Sequence, residues 1–178
     1  MAEDGISDIA LAKRKAARQL GLPEKAALPD DTEVDEALRA HQRLFQEDEQ
    51  SARQQELLSI AARLMAATER FNPHLTGAVL DGTAGRYAEI DIQLFADSAK
   101  DVEIFLLNEK LDFRHSTPRT DRAEAVLTLG AGAATVNLVI YPRDEERVSR
   151  RKRDGRLRAR ARLETVRRLL AEASTASR

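Results

Sequence analysis

At Pro73 the spacing of apolar residues changes from a helical period to a strand period, and this change predicts the fold class. Beyond it, residues 88–96 alternate polar and apolar side chains. Ser98 predicts the N-cap of a following helix, and segments 123–129 and 134–142 predict a hairpin joined by Gly-Ala-Gly-Ala. The sequence therefore predicts an α+β domain, with a small mixed sheet of four or five strands and two or three flanking helices.

The residues before Pro73 predict a helical segment. Apolar spacing favours a first helix over 6–20 and a second over 31–45, which either Asp31 or Thr32 would cap. A third helix is predicted over about 51–70, because the polar run QEDEQS interrupts the pattern between the two. The second and third helices would form a hairpin with acidic faces.

Basic residues are concentrated near the C-terminal end. Residues 143–178 hold 13 Lys or Arg and 6 Asp or Glu, so this segment is +7 and residues 1–142 are −8. Nine of the 16 residues over 147–162 are basic, which predicts an exposed arm, and Leu163 begins a short amphipathic helix. RNA or an acidic protein surface, including this chain's own acidic helices, could bind the arm. The predicted organisation is a helical segment (1–71), an α/β core (72–142) and a basic arm with its helix (143–178).

Several functional classes are excluded by what the sequence lacks. It has no cysteine, which excludes disulfides and thiolate metal sites, and its three histidines lack metal-ligand spacing. It contains neither a P-loop motif nor a Gly-x-Ser-x-Gly nucleophile motif. The acidic start and the absence of a long apolar run predict a soluble, cytoplasmic protein that does not enter membranes.

Two carboxylates and a glycine-rich turn carry the chemistry. Glu89 and Asp91 are two positions apart on a predicted strand and would therefore share one face. Two like charges this close are costly unless a cation lies between them, and carboxylate oxygens suit Mg²⁺, whose shell substrate phosphates and water complete. The glycines of 77–85 would let the backbone approach a phosphate chain.

In this order and spacing the residues resemble the nucleotidyltransferase superfamily. Its pattern is Gly-Ser, a small-residue turn ending in Gly, Asp-x-Asp on the next strand and a third carboxylate on a later strand. The matching positions here are Gly77 and Ala78, then Gly82 with Thr83 and Ala84, then Glu89 and Asp91, and finally Asn137. The resemblance covers about 72–142, and the run over 93–108 with the YPRD of 141–144 is also similar to a group of small bacterial proteins.

The resemblance implies Mg²⁺-dependent transfer of a nucleoside monophosphate from a nucleoside triphosphate (NTP) to an acceptor. Glu89, Asp91 and Asn137 would be catalytic, the first two as metal ligands. Gly77, Ala78, Gly82 and Thr83 would bind the nucleotide.

Three positions depart from the family pattern: Ala78 has no hydroxyl, Glu89 is one methylene longer than Asp, and Asn137 brings no charge. The alternative is therefore a catalytically degenerate fold that binds nucleotide, RNA or protein as a regulatory module, as a monomer or an oligomer. Use of a similar fold for an unrelated function is also left open.

Overall fold

The computed structural model of the chain describes residues 19, 21, 30–148 and 159–176. The chain divides into two compact units, Met1–Glu47 and Asp48–Arg178. This division falls inside the predicted helical segment 1–71 and not at its end. Apart from Gln19, the predicted helix over 6–20 lies outside the described residues, as do residues 149–158 of the predicted basic arm.

The first described helix, α1 (Asp31–Ala67), is continuous, so the predicted hairpin of two helices is wrong. The run QEDEQS contains no Gly or Pro, and residues 47–50 are exposed, so a helix can pass through without an apolar side chain there. The cap is Asp30, one residue before the predicted candidates. Its carboxylate accepts from the Thr32 amide at 2.8 Å, while the Glu33 carboxylate accepts from the Asp30 amide at 3.0 Å. This reciprocal pair is a capping box.

The second unit holds a six-stranded sheet with helices between and after its strands. Its elements are β1 (His74–Thr76), the short α2 (Ala78–Asp81), β2 (Ile90–Ala96), α3 (Ala99–Asn108), β3 (Arg114–Ser116), β4 (Ala125–Ala131), β5 (Ala134–Pro142), β6 (Arg160–Ala161) and α4 (Leu163–Ala176). The strand order is β3-β4-β5-β2-β1-β6. Strands β2 and β5 are parallel, and the other described neighbours are antiparallel.

This arrangement confirms the α+β class, with six strands in the sheet of the described residues where four or five were predicted. The additional strands β3 and β6 contain three and two residues, which is too short for a period of two to be visible in the sequence. The predicted hairpin is present as β4 and β5, with its turn reduced to residues 132–133. Ser98 caps α3 as predicted, because its hydroxyl accepts from the Lys100 amide at 3.2 Å.

One face of the sheet carries the main core. Alternate residues of β2 and β5 are fully buried on this face, and α1, α3 and α4 pack against them. Those strand residues are Ile90, Ile92, Leu94, Val136, Leu138 and Ile140. The helices contribute Leu57 and Met65 from α1, Val102 and Leu106 from α3, and Val166 from α4. The predicted apolar stripe of α1 and the amphipathic C-terminal helix are therefore confirmed.

The end of the predicted basic arm belongs to the sheet. Strand β6 pairs with β1 through Ala161 and Arg160, and Ala161 is buried. The prediction of an exposed arm is therefore wrong over residues 160–161, where Ala161 supplies a small apolar side chain to the core. Among the described residues, no helix combines the length and apolarity that crossing a membrane requires.

Candidate functional site

The face of the sheet opposite the main core carries a row of polar residues. Because residues paired across strands project to the same side of a sheet, the strand register brings one residue from each strand into this row. From β6 to β3 the row is Arg160, Thr76, Asp91, Asn137, Thr128 and Arg114. Parallel β2 and β5 place Asp91 directly opposite Asn137 at its centre.

Glu89 and Asp91 converge on the side chain of Asn137. The amide nitrogen of Asn137 donates to Glu89 Oε2 at 2.7 Å and to Asp91 Oδ1 at 3.1 Å. Glu89 lies one residue before the start of β2, so the predicted strand begins slightly later than expected, but its carboxylate reaches the same point. The structure thus brings together the three residues that the sequence predicted as catalytic.

Two hydroxyls fix the orientation of the Asn137 amide. Thr128 donates its hydroxyl proton to Asn137 Oδ1 at 2.9 Å, and Ser116 Oγ lies 2.7 Å from Thr128 Oγ1. Since a hydroxyl has one proton and Thr128 uses its own for Asn137, Ser116 donates to Thr128. The amide nitrogen consequently faces the carboxylates and donates to both of them without bringing a full charge.

Gly77 allows the backbone of the turn to come close to the carboxylate of Asp91. Its backbone has φ +80°, and a Cβ there would lie 3.2 Å from Asp91 Oδ2. A larger residue would therefore be strained and would crowd the carboxylate. The position that the sequence matched to the first family glycine lies in contact with the predicted metal-binding pair.

The other predicted nucleotide-binding residues lie further along the turn. Ala78 is the first residue of α2, Gly82 ends that helix with φ +71°, and Thr83 follows in an exposed position. Like Gly77, these three residues do not line the cleft described below. Gln54 of α1 holds the turn by donating from its side-chain amide to the carbonyl of Val79.

A polar cleft of about 260 Å³ covers the row on its β2-to-β3 side. It is lined by Thr76, Glu89, Asp91, Gln93, Arg114, Ser116, Thr117, Arg119, Thr120, Val126, Thr128, Asn137, Val139 and Tyr141. Sequence reasoning missed the whole wall over 114–120. The polar composition of that segment, with Pro118 inside it, was the available signal, but the same composition is typical of an ordinary surface loop.

The two arginines of this wall have no partner for their guanidinium groups among the residues that the structure describes. Within the described part of the chain, neither Arg114 nor Arg119 makes an ion pair or a side-chain hydrogen bond. The cleft therefore has two carboxylates on one side and two unpaired cations on the other. It presents both signs of charge to a ligand.

The carboxylate pair suits a hard divalent cation only when a ligand completes the shell. No group of three or more His, Asp or Glu side chains able to hold a metal ion is found among the described residues. Glu89 and Asp91 offer oxygen ligands that meet at one point, and Asn137 can offer an amide oxygen if its side chain turns over. The donor set fits Mg²⁺ or Mn²⁺ bound together with phosphate oxygens and water.

His74 lies on β1, on the same face of the sheet as Thr76, where it contacts Phe95 and is affected by the charge of Arg160. Its ring contacts Phe95 edge-on at 5.4 Å, and its Nδ1 bonds to the carbonyl of Asn72 at 2.9 Å. Burial is the main cause that lowers the pKa of His74 below its ordinary value, with Arg160 and Arg162 acting in the same direction. The Asn72 carbonyl and the Glu146 carboxylate oppose this shift.

Searches against protein-family models, curated proteins and solved structures give no match to this chain. The nucleotidyltransferase resemblance therefore depends on the residues themselves.

Proposed function

We propose that this cleft is a nucleotidyltransferase-like site, at which a nucleoside triphosphate binds with a divalent cation and passes its nucleoside monophosphate to an acceptor. The observation that carries the proposal is the convergence of Glu89 and Asp91 on one point, with Gly77 in contact behind Asp91. Mg²⁺ is usually bound by one or two carboxylates together with substrate phosphates, and the backbone of a glycine turn can bind a phosphate group, so these residues would suit both.

Some residues of the site would bind the cation, and others would hold the Asn137 side chain in position. Glu89 and Asp91 would hold the cation, which would supply Lewis-acid polarisation of a phosphoryl oxygen. Asn137 cannot accept a proton from an attacking hydroxyl, because an amide is not a base at neutral pH. Among the residues that line the cleft, Glu89 and Asp91 are the carboxylates that could accept that proton. Thr128 and Ser116 would keep the Asn137 side chain in place.

The first test is Mn²⁺ binding to the full chain in the presence of a nucleoside triphosphate, measured by electron paramagnetic resonance. We expect Glu89→Gln and Asp91→Asn each to weaken Mn²⁺ binding at least about tenfold, because each removes one of two charged ligands. Pyrophosphate release from the four common triphosphates, with Mg²⁺ and with Mn²⁺, measures the transfer itself.

Asp97→Asn is the matched control, since it removes a carboxylate just beyond the far end of β2. Asp97 is exposed and pairs with Arg143 at 3.1 Å, away from the cleft. This variant should bind Mn²⁺ like the wild type. Equal affinity in all four proteins would exclude the pair as a cation site.

The structure also offers a reason to keep the second candidate, a degenerate site that binds nucleotide without transferring it. The Asn137 amide already satisfies one oxygen of each carboxylate, so the pair is stable without a cation. Tight triphosphate binding with no pyrophosphate release in either metal would favour this candidate. RNA or protein binding in place of nucleotide belongs to the same regulatory alternative.

A further inference from the structure

The wall over 114–120 faces the carboxylate pair across the cleft. Arg114 lies on the edge strand β3 and Arg119 in the loop that follows it. Both side chains are available to a ligand, because within the described residues neither has an ionic partner. Thr117 and Thr120 add hydroxyls to the same wall.

The strand register fixes how far this wall lies from the carboxylates. Asp91 pairs with Asn137, Asn137 with Thr128, and Thr128 with Arg114. Three strand spacings separate the backbones of Asp91 and Arg114, which is about 14 Å. Gly77 and its turn follow β1, on the opposite side of β2. The wall and the turn therefore lie on opposite sides of the carboxylate pair.

We propose that Arg114 and Arg119 bind a phosphate monoester carried by the acceptor, a proposal that rests on the proposed function. A guanidinium group presents paired N–H donors that match phosphate oxygens, and hydroxyls complete such a site. The nucleotide's own phosphate chain would occupy the glycine turn, which leaves the opposite wall for the second substrate.

Cleft size and lining agree with a terminal phosphate group. The volume of about 260 Å³ is just below the ~300 Å³ at which pockets for whole drug-sized ligands begin, so the cleft would enclose the reacting ends of larger molecules. Most lining side chains are polar, and the apolar ones are Val126, Val139 and Tyr141. About half of the lining surface is apolar, so the two arginines, and not the lining as a whole, favour a charged group at the wall over 114–120.

The experiment titrates glycerol 3-phosphate into the metal-free, full-length protein and follows the amide signals of 114–120 by NMR. We expect saturable shifts in the wild type. Arg114→Gln and Arg119→Gln should each weaken binding at least about tenfold, because each removes charge-assisted hydrogen bonds. Arg122→Gln is the matched control: it removes one exposed arginine of the same region, which pairs with Glu145 and does not line the cleft.

Three results would overturn the proposal. The first is the absence of saturable shifts in the wild type, or binding of glycerol 3-phosphate by the Arg114 and Arg119 variants that is as tight as that of the wild type. The second is displacement of the phosphate by a nucleoside triphosphate, which would assign the wall to the donor. The third is equally tight binding of dimethyl phosphate, which would indicate recognition of a nucleic-acid backbone.

The phosphate titration and the Mn²⁺ titration described above together separate this proposal from the proposed function. Phosphate binding at Arg114 and Arg119 without any Mn²⁺ binding at Glu89 and Asp91 would support the anion subsite and contradict the cation site. Mn²⁺ binding without phosphate binding would do the reverse. Asp97→Asn, whose carboxylate pairs with Arg143 outside the cleft, should leave both phosphate binding and Mn²⁺ binding unchanged.

Discussion

The two faces of the sheet are built from alternating residues of the same strands, yet they differ in chemistry. Ile92 pairs with Leu138 on the face that α1, α3 and α4 cover, and both side chains are fully buried. Asp91 pairs with Asn137 on the face that holds the cleft. A shift of one residue along either strand exchanges one environment for the other.

Because of this difference, the helix-covered face contributes mainly to the stability of the fold, and the cleft face carries the residues of the candidate site. On the helix-covered face, burial of apolar area stabilises the fold without regard to direction. On the cleft face, polar side chains are held by hydrogen bonds to one another, as Asn137 is by Thr128. Substitutions on the first face should therefore change the free energy of unfolding. Substitutions of the polar residues on the second should change ligand binding more, although Phe95 and Tyr141 form a smaller buried apolar cluster on that face.

The largest expected effect is on the helix-covered face and comes from removing residues 159–178. This truncation takes away β6 and α4, including the buried Val166 and the partly buried Leu163, Leu169 and Leu170. We expect a loss of roughly 5 kcal/mol in the free energy of unfolding, from the apolar area exposed. Urea denaturation followed by circular dichroism measures it.

Removing residues 177–178 alone is the control for this truncation, since it leaves β6 and the described residues of α4 in place. It should leave the unfolding midpoint unchanged. If the long truncation also left it unchanged, the C-terminal segment would be the independent arm that charge composition predicted.

The next effect compares adjacent residues on the two faces of β5. Leu138→Ala should lower the free energy of unfolding by about 2 to 5 kcal/mol, because the cavity it leaves lies in the main core. Val139→Ala, which changes a partly buried side chain of the cleft, should cost clearly less. Urea unfolding of both variants tests the comparison, and equal losses would mean that the cleft face also carries the core.

Sequence reasoning predicted the fold where periodicity is long and uniform. The seven residues of β2, the hairpin of β4 and β5, and the N-cap Ser98 follow directly from spacing and turn chemistry. Strand β6 could not be predicted, because two residues carry no period and Arg160 looks like part of a charged run. Continuity of α1 was missed because a polar run was interpreted as a break.

Only the residues of the candidate site that lie close together in the sequence, next to or on one strand, could be predicted to share a face. Glu89 and Asp91 are close in the sequence, so their shared face follows from strand geometry. Arg114 reaches the cleft through β3, β4 and β5, and such long-range pairing leaves no local signal. The direction of the Asn137 amide depends on Thr128, which only the sheet register brings opposite to it.

A smaller effect on stability, but a larger one on binding, is expected from Asn137→Asp. The amide that donates to Glu89 and Asp91 would be replaced by a third carboxylate, which cannot donate when ionised. The metal-free protein should lose about 1 to 3 kcal/mol of stability, from lost hydrogen bonds and like-charge repulsion. Affinity for Mn²⁺, measured by calorimetry, should rise about tenfold, because the added charge favours a cation.

Asn137→Ala separates these causes, since it removes the donor without adding a charge. It should destabilise the metal-free protein without raising its Mn²⁺ affinity. If Asn137→Asp bound Mn²⁺ no better than Asn137→Ala, position 137 would not contribute to a cation site.

The smallest effect is the pH dependence of stability that His74, which lies on β1, adds to the protein. Burial lowers the pKa of His74 in the folded protein, so the unfolded chain binds this proton more readily. Its contribution to stability is therefore complete above its ordinary pKa of about 6.5 and declines as the pH falls toward the folded-state value.

The melting temperature of the wild type should fall between about pH 7.5 and pH 5.5, and His74→Gln should show a shallower decline. Identical slopes in the wild type and His74→Gln would mean that this ring takes up its proton equally well in the folded and unfolded chains.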